Sequence, residues 1–374
     1  MKLKIMKICT SRSWGGMELS MVQTCEKLRQ RQHQIFPVCF VNSSIYQRLL
    51  DLDFRPVVLN LRGYLHPFKI YQFAQYIHTH QIDLIHADYS KDLWTVVPAM
   101  KFSKRVPLVL IKHVGTRKPK TDPFHKWIYR HVDYIIAISN VIKNNVIKTH
   151  PIKPEKVGVI HHGIDFKRFK SNQTQREKTR TTLGVQTNEL LIGIIGRLQA
   201  AKGYFEFIEM ARSISERYDH TKFIIIGEPS RGEEAAANQI LTKIDHLNLP
   251  HRMIVTGYRE DIPALLAAMD LFVFPSHAEA FGLVLIEAMG MKLPVVSSSS
   301  DGVLDIVLPG ETGLLVPPKD IPQLIAAVEC LIQNEEQRKA MGQAGYLRAR
   351  QKFDEEHMLV QIEQLYYNLL QKRN

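Results

Sequence analysis

Two glutamates eight residues apart, Glu279 and Glu287, lie in the part of the chain best suited to chemistry. They flank a Phe-Gly step in the run from Pro275 to Gly290, and a helix is predicted to begin near Gly282. If all eight steps were helical, the carboxylates would be ~12 Å apart along the axis. The paired acids of glycosidases are about 5–9.5 Å apart. The spacing therefore disfavours a glycosidase and favours two carboxylates that bind different parts of a ligand.

A helix start beside a carboxylate suits a ligand that carries both phosphate and hydroxyl groups. Backbone N–H groups at a helix N-terminus face an anion, and carboxylates accept hydrogen bonds from hydroxyls. Glu279 is predicted in the loop and Glu287 more than one turn into the helix. The alternative is that both are ordinary surface glutamates.

Two glycine-rich turns between a predicted strand and a predicted helix offer further phosphate contacts. The first is Ser11–Glu18 with Gly15 and Gly16, and the second is Gly196–Gly203, which carries Arg197 and Lys202. Glycines permit close backbone approach, and one Arg with one Lys suits a diphosphate. Neither turn is G-x-G-x-x-G, which disfavours a nicotinamide dinucleotide. A tight turn and two solvated charges are the alternatives.

The elements that must position these residues alternate between β-branched runs and amphipathic stretches. This rhythm predicts α/β folding with parallel sheets covered on both faces, repeated in two halves. A helix is expected at Glu18–Gln32. The strands are predicted at Lys2–Thr10, Gln34–Val41, Pro56–Leu59, Asp83–Ala87, Pro107–His113, Tyr134–Ser139, Leu190–Ile195, Thr221–Ile226, Met253–Thr256, Leu271–Pro275, Pro294–Ser297 and Gly313–Val316.

The length of 374 residues favours two domains. The polar stretch Phe166–Gly184 is interpreted as a linker or surface excursion, and two long helices, Ile321–Asn334 and Asp354–Gln371, are expected to close the chain. We predict domains at 1–168 and 169–353, with the helix of 354–374 packing back toward the first domain.

Composition and charge narrow the class of protein. No apolar run approaches the roughly 18–20 residues that span a bilayer, and the cysteines, mostly in apolar stretches, lack metal-ligand spacing. A cytoplasmic protein with reduced thiols is expected. Residues 1–175 carry 28 Lys+Arg against 11 Asp+Glu, whereas residues 176–374 carry 21 against 26. The basic first half predicts an anionic partner, such as a membrane surface, a phosphorylated acceptor or nucleic acid.

Taken together, these motifs resemble the retaining glycosyltransferases of family GT4, which have the GT-B fold. Glu279 and Glu287 match the family's E-x7-E motif. The other matching stretches appear in the family's order and approximate spacing: Gly15–Glu18, His162–Asp165 with Phe169, Gly196–Gly203, Pro275–Gly290 and Glu311–Pro318. The resemblance covers nearly the whole chain and implies two Rossmann-like domains that face each other across a donor cleft.

The resemblance also implies a role for each matching residue. Arg197 and Lys202 would neutralise the diphosphate of the donor, and Glu287 would bind its ribose. Glu279 would contact the donor sugar, and His113 would lie near that sugar and the acceptor. The remaining donor-binding positions are Gly15, Gly16, Gly196, Phe281, Gly282 and Leu283. The family's Gly-Gly-x-Pro-Glu turn is replaced here by Asp301-Gly302-Val-Leu-Asp305, so sugar specificity is not predicted.

The implied activity is transfer of a hexose from a UDP- or GDP-linked donor to a glycan or lipid-linked acceptor, in lipopolysaccharide or other surface-polysaccharide assembly. Retention of the anomeric configuration is likewise implied by the family alone. No D-x-D arrangement follows a strand in a position to hold a metal, so we predict metal independence and no cofactor.

The basic first half contains two stretches suited to a membrane surface. Arg62–Phe73 mixes aromatic and cationic residues, and the loop Lys112–Lys120 is densely basic. We expect contact with anionic headgroups or an acceptor through Arg117, Lys118, Lys120 and Lys126, and a peripheral position on the inner face of the cell membrane. The alternative is a solvated basic face.

Two other functions remain open from the sequence. A nucleotide-sugar epimerase of the same architecture would convert the donor without an acceptor. A basic nucleic-acid-binding protein would fit the pI of about 9.4. No recognisable nucleic-acid motif supports the second, so specific nucleic-acid binding is not expected.

Overall fold

The computed structural model describes residues 2–60, 67–170, 172–229, 232–246 and 252–372. The chain divides into two compact units. Unit 1 contains Met1–His161 and Met358–Asn374, and unit 2 contains His162–His357. Each unit is an α/β structure with one parallel sheet, which confirms the predicted fold class.

Unit 1 is built on a seven-stranded sheet in the order β3-β2-β1-β4-β5-β6-β7, with every paired neighbour parallel. Its elements are β1 (Lys4–Cys9), α1 (Gly16–Gln30), β2 (Gln34–Cys39), α2 (Ser44–Asp51), β3 (Val57–Val58), α3 (Pro67–Thr79), β4 (Leu84–Ala87), α4 (Leu93–Lys101), β5 (Leu108–Lys112), α5 (Pro123–Arg130), β6 (Tyr134–Ala137), α6 (Asn140–Thr149) and β7 (Val157–Val159).

Unit 2 is built on a six-stranded parallel sheet in the order β10-β9-β8-β11-β12-β13. Its elements are α7 (Gln173–Thr182), β8 (Leu190–Ile195), α8 (Tyr204–Ser215), β9 (Thr221–Ile226), α9 (Glu234–His246), β10 (Met253–Val255), α10 (Ile262–Ala268), β11 (Leu271–Phe274), α11 (Leu283–Gly290), β12 (Val295–Ser298), α12 (Val303–Ile306), β13 (Gly313–Val316), α13 (Ile321–Gln333) and α14 (Glu335–Lys352).

The last helix, α15 (Glu355–Gln371), belongs to unit 1 from Met358 onward. The Tyr366 ring is fully buried, and its hydroxyl oxygen lies 2.5 Å from Nδ1 of His86 on β4. Glu363 accepts hydrogen bonds from the Arg31 guanidinium and lies 2.8 Å from Nε2 of His33. Polar contacts therefore fix the end of the chain to unit 1.

The polar stretch Phe166–Gly184 is interpreted from the sequence as a linker or surface excursion. The linker interpretation is wrong for its central part, which forms α7. Asn172 caps this helix by accepting a hydrogen bond from the Gln175 N–H. Arg176 and Arg180 then reach Asp270 at 2.6 and 3.0 Å and donate to nearby carbonyls. Guanidinium groups anchor this helix in place of apolar side chains, so hydrophobic periodicity did not reveal it.

The strand order of each sheet reverses at one point, which is where α/β proteins bind ligands. In unit 1 the reversal lies between β1 and β4, and in unit 2 between β8 and β11. Loops leaving the carboxyl ends of such strands diverge to opposite faces and leave a crevice between them. The loops after β8 and β11 contain the two motifs singled out in the second half of the sequence.

Candidate functional site

The loops that follow β8 and β11 are in close contact. Gly203, between a short 3₁₀ turn at Ala200–Lys202 and α8, has φ of +80°. A side chain there would collide with the carbonyl oxygen of Pro275, at the end of β11. The backbone N–H of His277 donates to the Ala201 carbonyl at 2.9 Å. Gly203 is therefore required both for its backbone conformation and for the approach of the two loops.

This approach brings Lys202 and Glu279 together, although they are 77 residues apart in the chain. The Lys202 ammonium lies 2.5 Å from Oε2 of Glu279, and the two side chains are 19% and 16% exposed. The His277 ring lies 2.8 Å from Glu206 on α8, which ties the β11 loop to that helix as well. A cation and a carboxylate are thus held at the switch point, still in contact with solvent.

The helix carrying Glu287 starts at a glycine with a left-handed backbone. Gly282 precedes α11 with φ of +102°, and no side chain caps the helix. This helix start lies close to Glu279, whose Cγ would be 3.5 Å from a Cβ on Gly282. The prediction of a helix beginning next to Glu279 is confirmed.

Glu287 lies in the second turn of α11 and keeps part of its side chain exposed. Dense protein around its carboxyl group raises the pKa of Glu287 to about 7, although the positive charge of Arg168 acts in the opposite direction. A carboxyl group in this state gains from hydrogen-bond donors that favour its ionised form. The hydroxyls of a ribose are donors of that kind.

The turn at Asp301-Gly302 packs directly on the Glu279 loop. The Gly302 N–H donates to the Glu279 carbonyl at 2.9 Å, and a side chain at Gly302 would collide with the Ala280 carbonyl oxygen. Phe281, in the same loop, is buried and lies edge-on to His162 at a centroid distance of 5.9 Å. The glycine common to this chain and the family's turn is therefore explained by its contact with the Glu279 loop.

Arg197 extends from the β8 loop and is less confined than Lys202. Its side chain is 52% exposed, and Nη1 lies 3.8 Å from Oε1 of Glu233. The neighbouring Gln199 also donates to Glu233. Gly196, at the start of the loop, accepts a hydrogen bond at 2.5 Å from the buried Tyr204 hydroxyl. Arg197 is thus accessible to an anion from solution.

In unit 1, the glycine turn follows β1 at the corresponding switch point. Ser11 donates to Glu18 at 2.5 Å, which closes the turn from inside. Gly15 precedes α1 in an extended conformation, and Gly16 is the first helical residue. Apart from adjacent residues and the helix backbone, no heavy atom of the described residues lies within 4 Å of a Cβ built on Gly16. The fold itself therefore does not require glycine at this position.

Gly16→Ala is expected to leave the melting temperature unchanged, because the added methyl group meets open space. If the turn must admit a phosphate closely, the same change should raise KM for the donor by about tenfold, the effect of ~1.4 kcal/mol. Paired thermal melts and initial-rate kinetics test this. An unchanged KM would remove Gly16 from the site, and Gly203→Ala serves as the comparison that must destabilise.

His113, one residue beyond β5, lies in a buried charged cluster. Its Nε2 is 3.6 Å from Oδ1 of Asp88, and the Lys7 ammonium lies 2.7 Å from the other oxygen of that carboxylate. Lys7 and Asp88 are each 1% exposed. Burial acts to raise the pKa of Asp88, but the positive charge of Lys7 and the nearby His113 ring hold it below its usual range. The strand-end position predicted for His113 is confirmed.

Sequence reasoning missed Lys7, Asp88 and His86, which together with His113 make up this cluster. Burial, followed by the charge of Lys7, lowers the pKa of His86 to about 3, so its ring is neutral. A lysine within an apolar strand and an aspartate directly after another strand were the available signals. Their pairing depends on β1 and β4 being adjacent, which the sequence did not show.

The predicted basic surface lies on α5 and the loop before it. Arg117, Lys118 and Lys126 are exposed and Lys120 is half-buried. On the same helix Phe124 is 69% and Trp127 39% exposed. The first part of the aromatic and basic stretch Arg62–Phe73 lies outside the described residues. In its described part, Phe68 and Tyr71 on α3 are exposed.

The described residues contain neither a metal-binding cluster nor a membrane-spanning helix. No group of three His, Cys, Asp or Glu side chains there is arranged to hold a metal ion. No helix within those ranges is long and apolar enough to cross a bilayer.

Comparison with known proteins assigns this architecture. The family model "Glycosyltransferase Family 4" matches residues 14–168, and "Glycosyl transferases group 1" matches residues 175–348. Anabaena HepE, solved in complex with UDP and glucose, is similar with a TM-score of 0.83 and 25% identity, covering 97% of this chain and 99% of that one.

Two curated relatives are similar in sequence. The capsular polysaccharide biosynthesis glycosyltransferase CapM of Staphylococcus aureus is 29% identical over 243 residues, 64% of this chain. The match spans 62% of the length of CapM. The N-acetyl-alpha-D-glucosaminyl L-malate synthase of Bacillus anthracis is 25% identical over 99% of this chain and 98% of its own length.

Proposed function

The chain belongs to glycosyltransferase family 4 and has the GT-B fold, and from this premise we propose that it transfers a hexose from a nucleoside-diphosphate sugar to a glycan or lipid-linked acceptor. The observation that carries the proposal is the Lys202–Glu279 pair at the switch point of unit 2, beside the N-terminus of α11. HepE binds UDP and glucose on a similar fold, which favours UDP as the nucleotide. CapM is named for capsular polysaccharide biosynthesis, which favours an acceptor in surface-polysaccharide assembly. Lipopolysaccharide assembly is the finer proposal, and it rests on the sequence resemblance alone.

In the proposed reaction, the bond between the anomeric carbon and the diphosphate oxygen breaks, and the oxygen keeps the electron pair. Arg197 and Lys202 offset the charge that develops on the leaving group, together with N–H groups of Phe281, Gly282 and Leu283. Glu287 accepts hydrogen bonds from the ribose, and Glu279 from the donor sugar. The acceptor hydroxyl attacks the same face of the sugar, with retention, and passes its proton to the leaving phosphate.

A turnover assay tests the proposal. The purified chain is incubated with UDP-, GDP- or ADP-sugars and a panel of glycan and lipid-linked acceptors in the presence of a chelator, and nucleoside diphosphate release is measured. Acceptor-dependent release with an α-linked product from an α-linked donor is expected. Conversion of the donor to its epimer without acceptor would instead identify an epimerase, and activity only with added metal would contradict metal independence.

Nucleotide affinity should increase with pH between about 6 and 8. Ribose hydroxyls donate to the ionised form of Glu287, so binding lowers its raised pKa and releases a proton. A diphosphate ionises further near pH ~6 and contributes in the same direction. Calorimetric Kd values at several pH values for the wild type and Glu287→Gln separate the contribution of Glu287 from that of the diphosphate. An identical pH dependence in both proteins would contradict ribose binding by Glu287.

We further propose that unit 1 rests on the inner face of the cell membrane through α5 and the loop before it. Exposed Phe124 and Trp127 beside Lys118 and Lys126 support insertion among anionic headgroups. Flotation with anionic and neutral vesicles tests this, with Phe124→Ser/Trp127→Ser as the variant and Tyr258→Ser, exposed in unit 2, as the control. Equal flotation with both kinds of vesicle would overturn the proposal.

A further inference from the structure

The ammonium group of Lys112 is buried, and none of the residues that the structure describes offers it a carboxylate as an ion-pair partner. Lys112 ends β5 and is 6% exposed. Its Nζ donates to Ser90 Oγ at 3.2 Å and to Thr116 Oγ1 at 3.4 Å. Among the described residues of unit 1, no Asp or Glu forms an ion pair with it. An ammonium has three donors, so two long hydrogen bonds to hydroxyls leave it poorly compensated.

Other positive or neutral groups surround Lys112. Lys120 is half-buried, and its backbone N–H donates to the Thr149 carbonyl at 2.7 Å. Burial and, after it, the charge of Lys120 lower the pKa of Lys112 to about 8. His150 is 6% exposed, and its Nε2 lies 3.5 Å from Thr116 Oγ1. Burial, Lys112 and Lys120 lower the pKa of His150 to about 4, so its ring stays neutral.

The acid nearest in sequence does not compensate this charge. Asp122 caps α5 by accepting from the His125 N–H, and its carboxylate also lies 2.5 Å from Nδ1 of His125. The Asp122 side chain is 47% exposed, so its charge contacts solvent and the His125 ring. The cost of burying the Lys112 cation is therefore not offset by its own unit.

We propose that Lys112, Lys120 and the hydroxyls of Ser90 and Thr116 form a subsite for a phosphate group of the acceptor. A tetrahedral oxyanion offers enough acceptor oxygens for both ammonium groups and both hydroxyls. Lys112 ends its strand next to His113, at the carboxyl edge of the sheet where parallel α/β structures bind ligands. The identification of the phosphate carrier as the acceptor rests on the proposed function, whereas the anion site itself does not.

The test uses inorganic phosphate as the probe, because it isolates the anion from any sugar. Phosphate is also expected at Arg197 and Lys202, so thermal shifts at constant ionic strength are measured in an Arg197→Ala/Lys202→Ala background. Adding Lys112→Met, which keeps the side-chain length and removes the charge, is expected to raise the Kd for phosphate at least tenfold. Lys101→Met, which removes an exposed cation in the last turn of α4, is the control and should leave that Kd unchanged.

A second variant guards against a loss of folding in Lys112→Met. Ser90→Ala/Thr116→Val keeps the cation, removes the two hydroxyls and should weaken phosphate binding several-fold. An unchanged Kd in a folded Lys112→Met protein would overturn the subsite. UDP binding to otherwise wild-type chains reports separately on the donor site: phosphate binding without any UDP binding would sink the proposed function and leave the anion site standing.

Competition identifies the carrier of the phosphate. Glucose 6-phosphate represents a soluble acceptor, and a short-chain phosphatidic acid below its micellar concentration represents a lipid-borne one. Displacement of inorganic phosphate by either supports the subsite and assigns its source. Displacement by neither would overturn its assignment to an acceptor.

Discussion

Lys202→Ala is expected to lower kcat/KM for sugar transfer by about 10²–10³-fold, and Arg197→Ala by a comparable factor. In the proposed reaction, both cations offset the charge that the leaving diphosphate gains. Lys202 is mostly shielded from solvent and held at the switch point, so water cannot replace its charge at the same place. Steady-state kinetics over a range of donor concentrations measures the effect.

The matched control for Lys202→Ala is Lys243→Ala. Lys243 belongs to the same unit and forms an ion pair of 2.5 Å with Glu209 between two helices. Loss of that pair changes surface electrostatics without touching the β8 and β11 loops, so kcat/KM should stay within about twofold. Near-wild-type turnover in both Lys202→Ala and Arg197→Ala would sink the assignment of the diphosphate site.

Lys7→Met is expected to destabilise unit 1 by about 3–5 kcal/mol, because it leaves the Asp88 carboxylate buried without its cation. The same change removes the charge that holds Asp88 ionised beside His113. Native-state hydrogen exchange at β1 and β4 measures the opening free energy of unit 1 alone, which a global melt of a two-unit chain does not.

Lys4→Met supplies the control for this prediction. Lys4 lies on the same strand. Its backbone N–H donates to the Asp83 carboxylate, and among the described residues no ion pair of its ammonium group is seen. Its replacement should change the opening free energy by less than about 0.5 kcal/mol. Adding Asp88→Asn to Lys7→Met should recover part of the loss, because no charge is then left buried. Equal effects of Lys4→Met and Lys7→Met would show that the pair does not stabilise unit 1.

Much of the fold could be predicted where apolar runs mark the strands. Leu190–Ile195, Thr221–Ile226 and Gly313–Val316 match their predicted bounds. The strand Val157–Val159 is too short for a periodic signal. The helix Glu335–Lys352 was missed because glycine is part of its packing face: Gly342 lies so close to the Lys292 carbonyl that a side chain would collide with it.

The site was predictable as a set of local motifs but not as an arrangement. The residues inside each glycine turn, like those of the E-x7-E segment, lie within eight positions of one another in the chain, so residue type and spacing indicate their chemistry. The Lys202–Glu279 contact and the Lys7–Asp88 pair join residues 77 and 81 positions apart. Such contacts depend on which strands are neighbours at the switch points, and this order is set by packing of the whole sheet.

The most direct test of the central claim is a thermal-shift screen of the full chain against UDP, GDP, ADP and CMP and their common sugar conjugates, without added metal. One nucleoside diphosphate and its sugars are expected to raise the melting temperature of the wild type, since a ligand that binds only the folded state stabilises it. The shift should be lost in Glu287→Ala. A well-folded protein that responds to none of these ligands would contradict a donor site in unit 2.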